Sequence, residues 1–144
     1  EGRTYVEKAI DISPEHTPNW MVLGDILVQS QDVQGAIAAY REAVTFDSDN
    51  VAAWLKYADS LFQNNENDHA IRVLRKSISI NPDSHHLYYS YCSLLLQSGD
   101  KKKGHEVFEK GLLLNYEMHT ILFDYYPQAK RDRIIGRLIE KYKS

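Results

Sequence analysis

Residues 20–43 read WMVLGDILVQSQDVQGAIAAYREA, residues 54–77 read WLKYADSLFQNNENDHAIRVLRKS, and residues 88–111 read YYSYCSLLLQSGDKKKGHEVFEKG. Each segment begins 34 residues after the one before it. In that register Trp20, Trp54, Tyr88 and Leu122 fall in one column, and Leu23, Tyr57, Tyr91 and Tyr125 in another. Gly24, Ala58 and Cys92 form a column of small residues, followed by Leu27, Leu61 and Leu95. Further on come Ala36, Ala70 and Gly104, then Tyr40, Leu74 and Phe108, then Ala43, Ser77 and Gly111. Seven columns kept across three units are internal repetition, which has to be read before any single element.

Within a unit the spacing is helical. Trp20, Leu23, Gly24 and Leu27 follow i, i+3, i+4, i+7, one face of an amphipathic helix. Ala36, Tyr40 and Ala43 repeat that face after a polar break at Gln29–Gln34. The small columns let two helices approach closely, and the aromatic columns fill the space beside them. Start signals stand at Thr17 before Pro18, at Asp32, Asn50, Asn67, at Ser84 after Pro82–Asp83, and at Asp100. The spacing predicts helices over 18–30, 33–46, 51–64, 67–80, 84–98 and 101–114.

The pattern W-x2-L-G-x2-Y, then A-x3-F, A and P resembles the tetratricopeptide repeat family, whose unit is 34 residues long. The first unit (17–50) carries Ser48 where the family has proline, the second (51–84) carries Pro82, and the third (85–118) carries Tyr116. The resemblance implies an all-α solenoid, a right-handed superhelix of antiparallel helix pairs, with non-catalytic protein–protein interaction as its work. Residues 1–16, with Gly2, Val6, Ala9 and Pro14 in register, read as the second helix of a truncated repeat cut from a longer protein. Residues 119–144 read as a partial repeat and a C-terminal capping helix. Pro127 breaks the partial repeat's helix, and Ile134, Ile135, Leu138, Ile139 and Tyr142 share one face of the cap, with basic residues opposite.

Composition narrows the alternatives. The chain has 144 residues, 43% of them hydrophobic and 26% charged, as in an ordinary globular domain. No apolar run reaches the length of about 18 residues that a membrane span requires, so no membrane insertion is expected. A single cysteine excludes an internal disulfide framework. The net charge of −3 argues against a nucleic-acid partner. That total conceals an asymmetry: residues 1–100 hold 7 Lys/Arg against 14 Asp/Glu, and residues 101–144 hold 10 against 6.

Helical angles place a second stripe beside the signature face. In the first unit it comprises Met21, Asp25, Val28 and Gln29. In the second it comprises Leu55, Asp59, Phe62 and Gln63. The third supplies Tyr89, Ser93, Leu96 and Gln97, and Phe123 follows. In the family this stripe lines the concave ligand groove. The expected ligand groove is therefore Met21, Asp25, Gln29, Leu55, Asp59, Phe62, Gln63, Tyr89, Ser93, Gln97 and Phe123, while the column Val28, Phe62 and Leu96 also suits packing against the next unit. An apolar ladder edged by amides and carboxylates suits a peptide with apolar anchors and some basic character. Glutamine both donates and accepts, so it binds a peptide backbone without demanding a sequence.

One subset of the family grips a C-terminal carboxylate through Lys and Asn, where this chain has Met21 and Asp25. An acidic group there repels such a ligand. Asp25 and Asp59 lack an accompanying nucleophile or metal ligands, so no catalysis and no cofactor are expected. The histidines form no His-x3-His pair, so no metal site is expected either. Cys92 sits in the small column as a packing residue. Lys101–Lys103 place three cations on a helix start, against its dipole, where an anionic contact would relieve them. Two other readings compete with peptide binding: a regulatory or substrate-docking segment of a larger enzyme, and self-association through the unpaired N-terminal half repeat.

Overall fold

A computed structural model describes residues 2–144. Among these, nine α-helices and two 3-10 turns form, and no strand. The helices are α1 (Gly2–Ile12), α2 (Thr17–Gln29), α3 (Val33–Phe46), α4 (Val51–Gln63), α5 (Asn67–Ile80), α6 (His85–Gln97), α7 (Lys101–Leu114), α8 (Ile121–Tyr125) and α9 (Arg133–Tyr142). The six helices predicted between residues 18 and 114 form with ends shifted by at most one residue. The chain divides into two compact units, Glu1–Val73 and Leu74–Ser144, with the division inside α5.

In the first unit α1 packs on α2, α2 on α3, and α3 on α4. The signature columns supply the core: Leu27, Ala36, Tyr40, Ala43, Trp54, Ala58 and Leu61 are buried. Gly24 permits the close approach of α2 and α3, because a Cβ there would overlap the Tyr40 ring. The indoles of Trp20 and Trp54 donate to the carbonyls of Pro14 and Ser48, each six residues back. Both acceptors lie in the proline column, so the Trp column ties each helix to the loop leading into it.

In the second unit α6 packs on α7 and α8, and α7 on α9. Nine residues of α6 are buried, from Leu87 to Leu96. Gly104 and Gly111 leave room for Leu96 and Tyr89, which would lie 2.8 and 2.7 Å from an added Cβ. As the sequence predicts, Pro127 stops the helix: α8 ends at Tyr125 and a 3-10 turn covers Pro127–Arg131. The cap α9 buries Ile135, and Leu138, Ile139 and Tyr142 are partly covered, but Ile134 is 46% exposed and lies off the packed face. Polar contacts to α7 complete its attachment, with the Tyr142 hydroxyl donating to Glu109 at 2.5 Å.

The turn inside each 34-residue unit is the same. After α2, α4 and α6 the chain passes through a left-handed residue, Gln31 (φ 65°), Asn65 (φ 62°) or Gly99 (φ 94°). The following amides, of Asp32, Glu66 and Asp100, donate back to Leu27, Leu61 and Leu95 at 2.8–2.9 Å. This closes each helix with the reversed bond of a Schellman motif. Asp32 and Asp100 then cap the next helix with their side chains, which accept from the amides of Gly35 and Lys103.

Candidate functional site

The polar face of α2 and α4 in the first unit frames an open cleft of about 390 Å³. Asp25 and Gln29 enter it from α2 and Asp59 and Gln63 from α4, each 34 residues from its counterpart. The repeat thus brings four of the predicted groove residues together. Tyr40 of α3 and Lys56 of α4 join them, with Val28 and Ser60 at the wall.

Charge in this cleft is unevenly satisfied. Asp25 Oδ1 accepts the Tyr40 hydroxyl at 2.5 Å and Lys56 Nζ at 2.7 Å. Burial, then the bond to Asp25, raises the Tyr40 phenol well above its ordinary value and keeps it a donor. Asp59 has no such support. Burial pushes its carboxyl up to about 6, opposed only by the nearby Lys56 charge, and no hydrogen bond reaches it among the described residues. No side-chain N or O atom among the described residues is both buried and unpartnered, so the Asp59 carboxyl opens onto the cleft with capacity to accept a donor.

The remaining predicted residues are placed differently. Met21 and Phe62 are partly exposed outside the cleft, and Leu55 is buried at 8% exposure. In the second unit Tyr89 is fully buried, its ring against Phe108 and its hydroxyl donating to the Asn115 carbonyl at 2.8 Å. Ser93 is buried too, bonded to the Ser90 carbonyl. Neither has surface to offer a partner, because Gly111 lets the Tyr89 ring sink onto α7. Gln97 is exposed near the end of α6, and Phe123 is partly exposed with Lys130 Nζ 5.8 Å over its ring.

Sequence reasoning missed Tyr40 and Lys56. Tyr40 occupies a column that otherwise holds Leu74 and Phe108, so its hydroxyl is the one polar atom in an apolar series. That oddity was the available signal, since a buried hydroxyl needs a partner. Lys56 gave none.

Other chemistry-bearing side chains have structural partners. His86 lies 3.0 Å from the Tyr125 hydroxyl, and His69 packs edge-on to Tyr57. The Cys92 thiol is buried and its ionisation pushed up by burial. Among the described residues no three His, Cys, Asp or Glu side chains gather closely enough to hold a metal, and no helix is long and apolar enough to cross a membrane.

Comparison with known proteins agrees with this architecture. No curated protein matches the chain. The crystal structure of MamA superposes over 97% of this chain and 84% of its own, with a TM-score of 0.73 and 17% identity. YrrB, described as a TPR protein with an unusual peptide-binding site, covers 97% of this chain and 74% of its own (TM-score 0.67, 11% identity). The TPR2B domain of yeast Sti1, solved as a complex with pHsp70, covers 88% of this chain and 94% of its own (TM-score 0.64, 16% identity). At these identities the likeness is one of fold. A tetratricopeptide-repeat family model also matches the sequence, over residues 1–51 and again over 21–85. With more than half its length matched by that model and the paired helices present, the chain belongs to the tetratricopeptide repeat family.

Proposed function

We propose that this protein is a non-catalytic binding module that takes a peptide segment of a partner into the α2–α4 cleft. One observation carries the reading: Asp59 is half-buried, faces the cleft beside Asp25, and lacks a hydrogen-bond donor. A lysine or arginine side chain of the ligand supplies that donor and neutralises the charge. Gln29 and Gln63 flank it at matching positions and are exposed, so they pair with the ligand backbone. Val28, 37% exposed, and the partly exposed Met21 and Phe62 give apolar surface next to the polar cleft. The family and the two peptide-related neighbours support this use of the fold. The structural frame is the set of repeats at 17–50, 51–84 and 85–118.

The test is selection from a random dodecapeptide display library, followed by calorimetry on the enriched peptides. Enriched sequences should carry Lys or Arg next to apolar residues. Asp59→Asn and Gln63→Ala should each weaken binding by about 1–2 kcal/mol. Affinity should also fall as pH drops through 6, where Asp59 gains its proton. Enriched peptides without basic residues, or peptides indifferent to both substitutions, would refute the proposal.

A further inference from the structure

The second unit has a cleft of about 490 Å³ where the start of α7 meets the turn leading into α9. Three cations border it, Lys101 at the head of α7 and Arg131 and Arg133 on either side of the α9 cap. All three are exposed, and their side chains make no hydrogen bond or ion pair among the described residues. Its accessible apolar surface belongs to the partly exposed Tyr126 and to Ile134, 46% exposed, while Leu96 and Ala129 lie buried beneath.

The cleft contains one carboxylate, and both of its oxygens are already engaged. Asp132 Oδ2 lies 2.7 Å from His105 Nε2, and Oδ1 accepts the amides of Ile134 and Ile135 at 2.9 and 3.2 Å. Burial would raise its carboxyl, but the His105 bond and the two amides outweigh that and hold it below the ordinary range. Asp132 therefore stays ionised as the cap of α9, directed at His105 and the helix rather than at the arginines. The cations are left to a ligand.

We propose that this cleft binds an acidic peptide segment, one or two Asp or Glu side chains pairing with Arg131, Arg133 and Lys101 while an adjacent apolar side chain packs on the exposed surface of Tyr126 and Ile134. Charge complementarity favours such an occupant: residues 74–144 carry 12 Lys/Arg against 8 Asp/Glu. The exposed apolar surface of Tyr126 and Ile134 favours a peptide over a free anion, which has nothing to place there. The site is independent of the α2–α4 cleft and takes a ligand of opposite charge.

The probe is a panel of fluorescein-labelled octapeptides in which Asp or Glu alternates with Leu or Phe, titrated against the full chain by anisotropy. At least one should bind, and its affinity should fall when salt is raised from about 50 to about 300 mM. Arg131→Ala with Arg133→Ala should weaken it at least about fivefold, as should Lys101→Gln on the other helix. Helix content by circular dichroism should stay unchanged in both variants, and Asp59→Asn should leave binding intact. Amide resonances of His105, Tyr126 and residues 131–134 should shift on titration. If no peptide binds, if Asn/Gln versions bind equally, or if the Lys101 variant binds normally, the proposal fails. It also fails if inorganic phosphate or single-stranded RNA shifts those resonances while the peptides do not.

Discussion

Asp59 is half-buried, its carboxyl pushed up to about 6, and that fixes how stability depends on pH. The unfolded chain titrates near the ordinary carboxylate value of about 4. Between roughly pH 4 and 6 the folded protein holds a proton that the unfolded chain has released. This group's contribution is therefore most favourable at low pH and is lost as pH rises through 6. Asp59→Asn should raise stability at pH 8 by about 1–2 kcal/mol, with the gain vanishing near pH 4. Urea melts at the two pH values measure it. The left-handed turn residues give a second residue-scale expectation. Gln31 has a Cβ at positive φ, whereas the equivalent Gly99 does not and has nothing within 4 Å of an added Cβ. Gln31→Gly should therefore stabilise, and Gly99→Ala destabilise, by up to about 1 kcal/mol each. Thermal unfolding of the two variants compares them directly.

At the scale of the helix, the columns of small residues decide spacing. Ala70 is fully buried in the second helix of its repeat, while Ala38 is partly exposed in the first such helix. Ala70→Leu should cost about 1–3 kcal/mol by overpacking, and Ala38→Leu less. Equal losses in chemical denaturation would mean the small column does not set the helix spacing. Helix positions were legible because period, capping residue and breaker agreed at Asp32, Asn50, Asp100 and Pro127. The capping role of Asp132 was not, since no repeat column extends to it. The candidate site was half legible. Asp25, Gln29, Asp59 and Gln63 follow from helical angles alone, because the repeat puts equal angles side by side. Tyr89 shares its angle with the partly exposed Met21 but sinks into the core, because Gly111, a residue on another helix, makes room for its ring. Whether a side chain reaches the surface depends on that opposing residue, and a one-helix projection does not contain it.

For the whole molecule, burial is distributed unevenly along the chain. The helices α1 and α9 each bury a single residue, Ile10 and Ile135, whereas α6 buries nine. Tyr5 and Ile12 of α1 are 75% and 83% exposed. Repeat proteins hold together by neighbour contacts, so helices with little buried surface open first. Native-state hydrogen exchange should show the weakest protection in α1 and α9 and the strongest in α4 and α6, which bury seven and nine residues. Uniform protection would mean that the chain opens only as a single cooperative block. The buried Cys92 turns this gradient into something a test tube can time. It is the chain's one thiol, and it lies in the most deeply buried helix with its thiolate suppressed by burial. An alkylating reagent such as iodoacetamide meets it only when α6 is exposed, so labelling mass against time becomes a stopwatch for excursions of the second unit. Destabilising Gly99→Ala should shorten the labelling half-life in step with its loss of stability, while changes confined to α1 should leave the clock unmoved.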